Sequence, residues 1–401
     1  MEYIREKAKD IPVYGEYDVV VVGGGVAGVS AALAAKRTGA QKVLLIEKQF
    51  MLGGLATLGI ITIYLPLCDG EGKQVSFGIA EELLKLSVKH GYEDRYPKCW
   101  LENGTPDEKK DKRYEVQYNA NMFAILMEKL LLDEGVEILY GSSVCDTVVT
   151  RNKISSLFIE NKSGRSAVKC GNVIDSSGDA DICKLSGEET DTFKQGNVLA
   201  GWYYYHKSDE YKLKMLGWSD IPEKFKTEEQ KKLEKNLKRF SGLDGKELSD
   251  MMCASHSFSL DDFLKDGGIN KSHNLGLMAT IPQIRMTRKI VSDYSIDDTE
   301  MHKEFSDSVG MFSDWRKKGP VYELPFSCLY GKNIKNLITA GRCISVTEAM
   351  WDITRVIPVC AVSGQAAGTA AAMTNNFKAL SVKKLQKQLK QDGVILHEKD
   401  L

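Results

Sequence analysis

Apolar positions along this chain change rhythm early. Tyr17 to Val22 ends in four consecutive valines. A run without polar alternation predicts a strand buried on both faces, as in a parallel sheet. Gly23, Gly25 and Gly28 follow directly, and the small residues Ser30 to Ala35 predict a helix stopped by Gly39. Val43 to Ile46 then predicts a second buried strand, closing on Glu47. Together they spell a βαβ unit with a glycine turn at its first crossing.

Later segments read less uniformly. Phe123, Leu126, Met127, Leu130 and Leu131 recur at helical spacing, with Asn121 taken as the cap and Gly135 as the stop. A strand is predicted at Val136 to Tyr140. Val144 to Thr150, Ile154 to Glu160 and Ser166 to Cys170 alternate between Asn/Lys and Ser-Gly turns, which predicts a three-stranded antiparallel meander. Val173 to Asp175 and Leu337 to Thr339 are short apolar strands, and Val359 to Met373, rich in Gly and Ala, is a helix expected to pack closely on other backbone. Residues 66–118 are polar, with helical periodicity only from Ile79 to Val88, and read as a mostly helical insertion. Pro222 to Arg239 is a Lys/Glu run with Leu233, Leu237 and Phe240 at helical spacing, expected as a solvated helix face.

The fold class expected is therefore α/β. A Rossmann-like domain, parallel sheet plus meander, is assembled from residues 1–187 and 331–401. An α+β substrate or cap domain, residues 188–330, is inserted into it. The length of 401 residues, beyond the size at which one core keeps growing, agrees with two domains.

Composition narrows the function by exclusion. A formal net charge of −1 lacks the basic field that nucleic-acid binding needs. No apolar run has the length of a membrane span. Met1 to Pro12 lacks the apolar core of a secretory signal, so a cytoplasmic location is the default expectation. The nine cysteines form no C-x-x-C pair, which disfavours a zinc ribbon or a redox dithiol. No metal site is expected. Most of the thiols read as small buried hydrophobes, and packing is expected even for Cys343 and Cys360, which flank segments near the predicted ligand.

The glycine turn carries the chemistry. Gly23 makes the tight turn, Gly25 lets backbone approach a pyrophosphate, and Gly28 lets helix pack on strand, with Val26 and Ala27 beside them. Phosphates are favoured at the helix N-terminus by free N–H groups and the dipole. Glu47, followed by Lys48, stands about 20 residues beyond, where a carboxylate accepts ribose hydroxyls. With no Arg for a 2′-phosphate, a free ribose is expected.

Five ordered motifs give a resemblance: Val20-Val21-Val22-Gly23-Gly24-Gly25; Gly53-Gly54-Leu55-Ala56-Thr57; Ile174-Asp175-Ser176-Ser177-Gly178-Asp179; Ala340-Gly341-Arg342-Cys343-Ile344-Ser345; and Arg355-Val356-Ile357-Pro358 with Gly364-Gln365-Ala366-Ala367-Gly368. They resemble FAD-dependent oxidoreductases of the glutathione-reductase-like fold. The match spans the nucleotide domain at both ends of the chain and, less firmly, Arg285-Met286-Thr287-Arg288. The resemblance implies FAD as cofactor. Gly23, Gly25 and Gly28 would cradle its pyrophosphate, Glu47 its ribose, and Val144 would lie beside adenine. It also brings Gly53, Gly54, Ala56 and Thr57 to the central and flavin portions. Ser177, Gly178 and Asp179 are further cofactor-binding candidates, Gly341 and Arg342 return to the pyrophosphate and ribityl region, and Ile357 begins a helix aimed at the flavin pyrimidine edge.

Two departures matter. Many such relatives carry a His after the Gly-Arg segment, where this chain has Glu348, and no His lies between Phe50 and Thr62, so the FAD is expected to be non-covalent. Substrate-side candidates are Arg285, Arg288, Glu348, Trp351, Asp352 and Arg355. Of these Glu348, Arg355 and Arg285 are the catalytic candidates: the arginines could clamp an anion, and Glu348 could move a proton or lock onto Arg355. Arg285 and Arg288 could equally pair with the acidic stretch Asp293 to Glu300. His206 is expected on a sheet. The leading expectation is hydride transfer between flavin N5 and a small organic molecule, with NAD(P)H or another electron partner. An NAD-dependent dehydrogenase and a non-catalytic binding protein on this fold are the alternatives.

Overall fold

The computed structural model describes residues 2–90, 97–217, 223–235 and 237–401. Its largest sheet has seven strands. β1 (Val13–Val22) lies between β2 (Val43–Ile46) and a long strand, Gly164–Asp175, parallel to both. Glu137–Leu139 extends the sheet beyond β2, and Leu337–Thr339 pairs with the far edge of the long strand. Register aligns the carboxyl ends: Val22 sits opposite Ile46 and Asp175, and Thr339 opposite Asp175. Strands from both ends of the chain thus finish side by side, where ligands bind in open α/β sheets.

Several elements differ from the sequence reading for physical reasons. Ser166 to Cys170 and Val173 to Asp175 are one strand, not two. A side chain at Gly171, between the two predicted segments, would meet the Asp18 carbonyl at 2.8 Å, so glycine is what lets the strand continue along β1. The first half of that strand pairs antiparallel with Lys153–Asn161, which pairs with Ser143–Thr150, giving the meander. The helix at 120–133 is capped by Asn119, whose side chain accepts from Met122 N at 3.0 Å, and not by Asn121. In the Lys/Glu run the described residues form a 3-10 turn, Glu223–Phe225, and a short α-helix, Glu228–Glu234, and Phe240 instead exchanges backbone bonds with Asn197. Pro222 and the side chain of Leu233 lie outside the described residues.

α1 (Val26–Arg37) is buried along its length except at its last two residues, and the helix Ile357–Met373 packs against it. Small residues permit the approach: Cβ atoms on Gly364 and Gly368 would stand 2.3 and 2.1 Å from the Ala27 and Ala31 carbonyls. α2 (Ile79–Val88) packs on the same core, and Gln365 Oε1 accepts the Ile79 N–H at its start. Two shorter helices, Lys98–Leu101 and Pro106–Asp111, follow it.

The middle of the chain builds smaller sheets. Tyr203–Lys207 lies between Glu210–Lys214 and His273–Met278, all antiparallel, and His206 sits on its exposed end. Helix Gly245–Lys265 starts at Asp244, which accepts from Glu247 N, and packs Phe263 against Tyr203. Thr190–Thr192 pairs with Arg288–Ile290. The hairpin Ser308–Ser313/Val321–Pro325 sends Phe312 and Tyr322 into the same core as α1. Among the described residues no single helix is long and apolar enough to cross a membrane; Glu348–Thr354 and Ile357–Met373 pass that test only together, bent by 92°, and both are buried.

Candidate functional site

A cavity of about 450 Å³ opens at the aligned carboxyl ends of the parallel strands. Gly23 forms its first turn at φ 101°, a conformation that favours glycine, and a side chain there would also strike the Ser176 carbonyl at 2.5 Å. Gly25, Val26 and Ala27 present the N-terminus of α1 to the cavity, with neither a side-chain cap nor an acidic residue in the first turn. The helix Ile357–Met373 presents its own N-terminus through Ile357 and Cys360, again uncapped and without acid. Two free helix ends on one cavity are built for negative charge.

Glu47 ends β2 on the opposite side of the glycine turn from Leu337–Thr339. It is buried, with Oε2 accepting Gly24 N at 2.6 Å and Oε1 accepting Gln49 N at 2.8 Å, which fixes the carboxylate while leaving lone pairs for hydroxyls. On the other side, Arg342 donates through Nη1 to the Ile284 and Arg285 carbonyls at 2.6 and 3.0 Å and reaches Asp179 at 3.6 Å through Nη2. Thr287 Oγ1 donates to the same Asp179 oxygen at 2.7 Å, so Arg342 and Asp179 tie the middle segment to the sheet. Trp351 Nε1 donates to the Arg342 carbonyl and steadies that turn.

The proposed cofactor residues reach the cavity wall, including Lys48, Gly53, Gly54, Ala56, Val144, Ser177, Gly178 and Gly341, with two exceptions. Gly28 lies behind the wall, where a Cβ would be 1.9 Å from the Gly23 carbonyl; its part is packing. Thr57 is buried and donates to the Leu52 carbonyl, bracing the turn at Gly53. Of the substrate-side candidates only Arg355 lines the cavity. Arg285 is buried, its guanidinium 5.9 Å from the Trp202 ring centroid. Glu348 accepts from Gln195 and does not meet Arg355, whose carboxylate partner is Asp352 on its own helix turn. Arg288 pairs with Asp181 at 2.7 Å rather than with Asp293 to Glu300.

Sequence reasoning missed Asp181 and the apolar wall of Leu248, Ile281, Pro282 and Ile284. Asp181 had a signal, being the third acid in Asp175 to Asp181; the apolar residues had none, since only tertiary contact brings them here. Burial pushes the Asp181 carboxyl up to about 6, with Asp179 and Asp175 adding repulsion and Lys48 and Arg288 opposing it. The side chain keeps 43% exposure, so solvent screens part of this. Below that pKa the group is neutral and above it negative. Affinity for a phosphate-bearing ligand should therefore rise several-fold as pH falls from about 7 to about 5. Asp181→Asn should bind tightly at both pH values in a fluorescence titration; an unchanged pH dependence would remove Asp181 from the effect.

The residues fit a dinucleotide, the N-terminus of α1 being suited to its pyrophosphate, on a Rossmann-type fold. The chain matches the family described as FAD dependent oxidoreductase over residues 18–198 and 204–389. It belongs to that family, and FAD is its cofactor. No curated protein matches the chain. Similar solved structures include a geranylgeranyl bacteriochlorophyll reductase-like protein of Thermoplasma acidophilum, 16% identical over 94% of this chain and 84% of that one, with a TM-score of 0.48. Another is a p-nitrophenol 4-monooxygenase of Pseudomonas putida, 13% identical over 93% of this chain and 83% of that one, with a TM-score of 0.47.

Proposed function

We propose that this oxidoreductase moves a hydride between a small organic substrate and FAD held without a covalent bond. Bound FAD supplies a two-electron acceptor at N5. The observation that carries the proposal is the convergence of two free helix N-termini and the fixed Glu47 carboxylate on one cavity. The N-terminus of Ile357–Met373 stabilises negative charge that develops beside it. Leu248, Ile281, Pro282 and Ile284 keep water from one wall. We assign residues 188–330, which supply that wall, to the substrate side. Non-covalent binding agrees with the lining, which among the described residues contains no His or Tyr and one thiol. That thiol, Cys360, is pushed up to about 11 by burial and stays protonated at neutral pH.

Purified protein should be yellow, bleach with dithionite, and release all its FAD on acid precipitation. Chromophore left on the denatured chain would contradict the non-covalent assignment. An anaerobic screen of NADH, NADPH and candidate metabolites identifies the electron partner: bleaching by a nicotinamide indicates a reductase, and bleaching only by a metabolite a dehydrogenase or oxidase. No bleaching by any compound would argue for a non-catalytic binding protein.

A further inference from the structure

We infer that Arg355 anchors a carboxylate of the substrate and that Asp352 is its positioning residue; this rests on the oxidoreductase reading above. Three cations line the cavity among the described residues: Lys48, Arg342 and Arg355. Arg342 spends its guanidinium on two carbonyls and Asp179. Lys48 follows Glu47 at the β2 side and faces Asp181 electrostatically. Arg355 differs from both. Its Nε and Nη2 donate to the same Asp352 oxygen at 3.1 and 2.6 Å, which leaves Nη1 without a hydrogen-bond partner among the described residues, on a residue of the cavity wall.

The support behind Arg355 is a relay of buried charges. Asp352 Oδ2 accepts Arg316 Nη1 at 3.2 Å, and Arg316 donates through Nε and Nη2 to the two oxygens of Asp314, each at 2.9 Å. Asp314 and Asp352 side chains are 0% and 5% exposed. The Trp315 indole donates to the Asp352 carbonyl, and its ring lies 5.9 Å from the Arg355 guanidinium carbon. Buried ion pairs of this kind add little stability over apolar packing, so what the relay retains is orientation. It fixes the guanidinium of a residue that lines the cavity, two positions before the start of Ile357–Met373.

Charge counting selects the ligand. Asp314, Arg316, Asp352 and Arg355 sum to zero, and the other charged residues of the cavity, Glu47, Asp179, Asp181, Lys48 and Arg342, carry three negative and two positive charges. With no net positive charge to meet it, a doubly charged phosphate is less suited to Arg355 than a single carboxylate. The nearby apolar wall of Ile281, Pro282 and Ile284 suits the organic body to which the carboxylate is attached.

The test is titration of the FAD-loaded protein with benzoate, benzamide and inorganic phosphate, following the visible flavin spectrum. Benzoate should perturb it saturably, and benzamide and phosphate should not. Arg355→Gln should weaken benzoate about tenfold or more. Asp352→Asn should weaken it less, with FAD content unchanged, and Asp352→Glu should restore part of the loss. Arg355→Lys, which keeps charge and bulk, serves if the Gln variant does not fold and should also bind benzoate more weakly. A yellow protein that ignores benzoate, binds it equally after either Arg355 change, or responds equally to phosphate overturns this inference alone. A colourless protein that cannot be reconstituted sinks the oxidoreductase reading with it.

Discussion

Gly25→Leu is expected to give a folded, colourless protein. Gly25 has φ −65°, a conformation open to any residue, and a Cβ built on it meets nothing within 4 Å. No steric penalty therefore falls on the fold. The space a side chain would enter is the cavity itself, directly over the first turn of α1, where a pyrophosphate must come within hydrogen-bond reach of backbone N–H groups. Adding a butyl group there removes that approach, and FAD affinity should fall by about 100-fold or more, since several charge-assisted hydrogen bonds are lost together. Circular dichroism and thermal melting, compared with wild-type apoprotein, check the fold; FAD titration checks the site. A yellow Gly25→Leu protein would place the cofactor elsewhere.

Gly368→Ala is expected to destabilise the protein, against the usual sign. Replacing a mid-helix glycine by alanine normally stabilises by about 0.5–1 kcal/mol. Here the added Cβ would stand 2.1 Å from the Ala31 carbonyl, and backbone cannot swing aside as a flexible side chain can. The two helices must separate, at a cost of about 1–3 kcal/mol for Ala and more for Leu. Because both helices aim their N-termini at the cavity, the same displacement should weaken FAD binding. A thermal melt of the apoprotein decides the first point: equal or higher Tm for Gly368→Ala would mean that the helices do not touch there.

Where local rules and the final fold agree, the sequence was readable. The valine block, the glycine turn and Glu47 specify β1, α1 and the buried carboxylate beside the cavity because strand, turn and helix each carry their own signal within a few residues. Ile79 to Val88 was legible from periodicity alone, and its helix has those bounds. Ser166 to Cys170 and Val173 to Asp175 are joined through Gly171, whose fit against the Asp18 carbonyl only tertiary structure reveals. The site was legible at its cofactor side and much less at its substrate side. Asp352 and Arg355, three residues apart, meet on one helical face and could have been paired from sequence, whereas Arg316 and Asp314 join them only through tertiary structure. Arg285 reads as an anion clamp or a partner of Asp293 to Glu300, but its peptide N–H and that of Met286 are both held by Asn197, and its buried side chain does not line the cavity. Leu248, Ile281, Pro282 and Ile284 belong to no motif and became functional candidates only when the middle segment closed over the sheet.

The most direct measurement is calorimetric titration of apoprotein with FAD, run beside Gly25→Leu. Wild-type chain should bind one FAD per polypeptide with saturable heat and become yellow, while folded Gly25→Leu shows none. Wild-type protein that stays colourless, or equal binding by both chains, would contradict a flavin site at the carboxyl ends of the parallel strands.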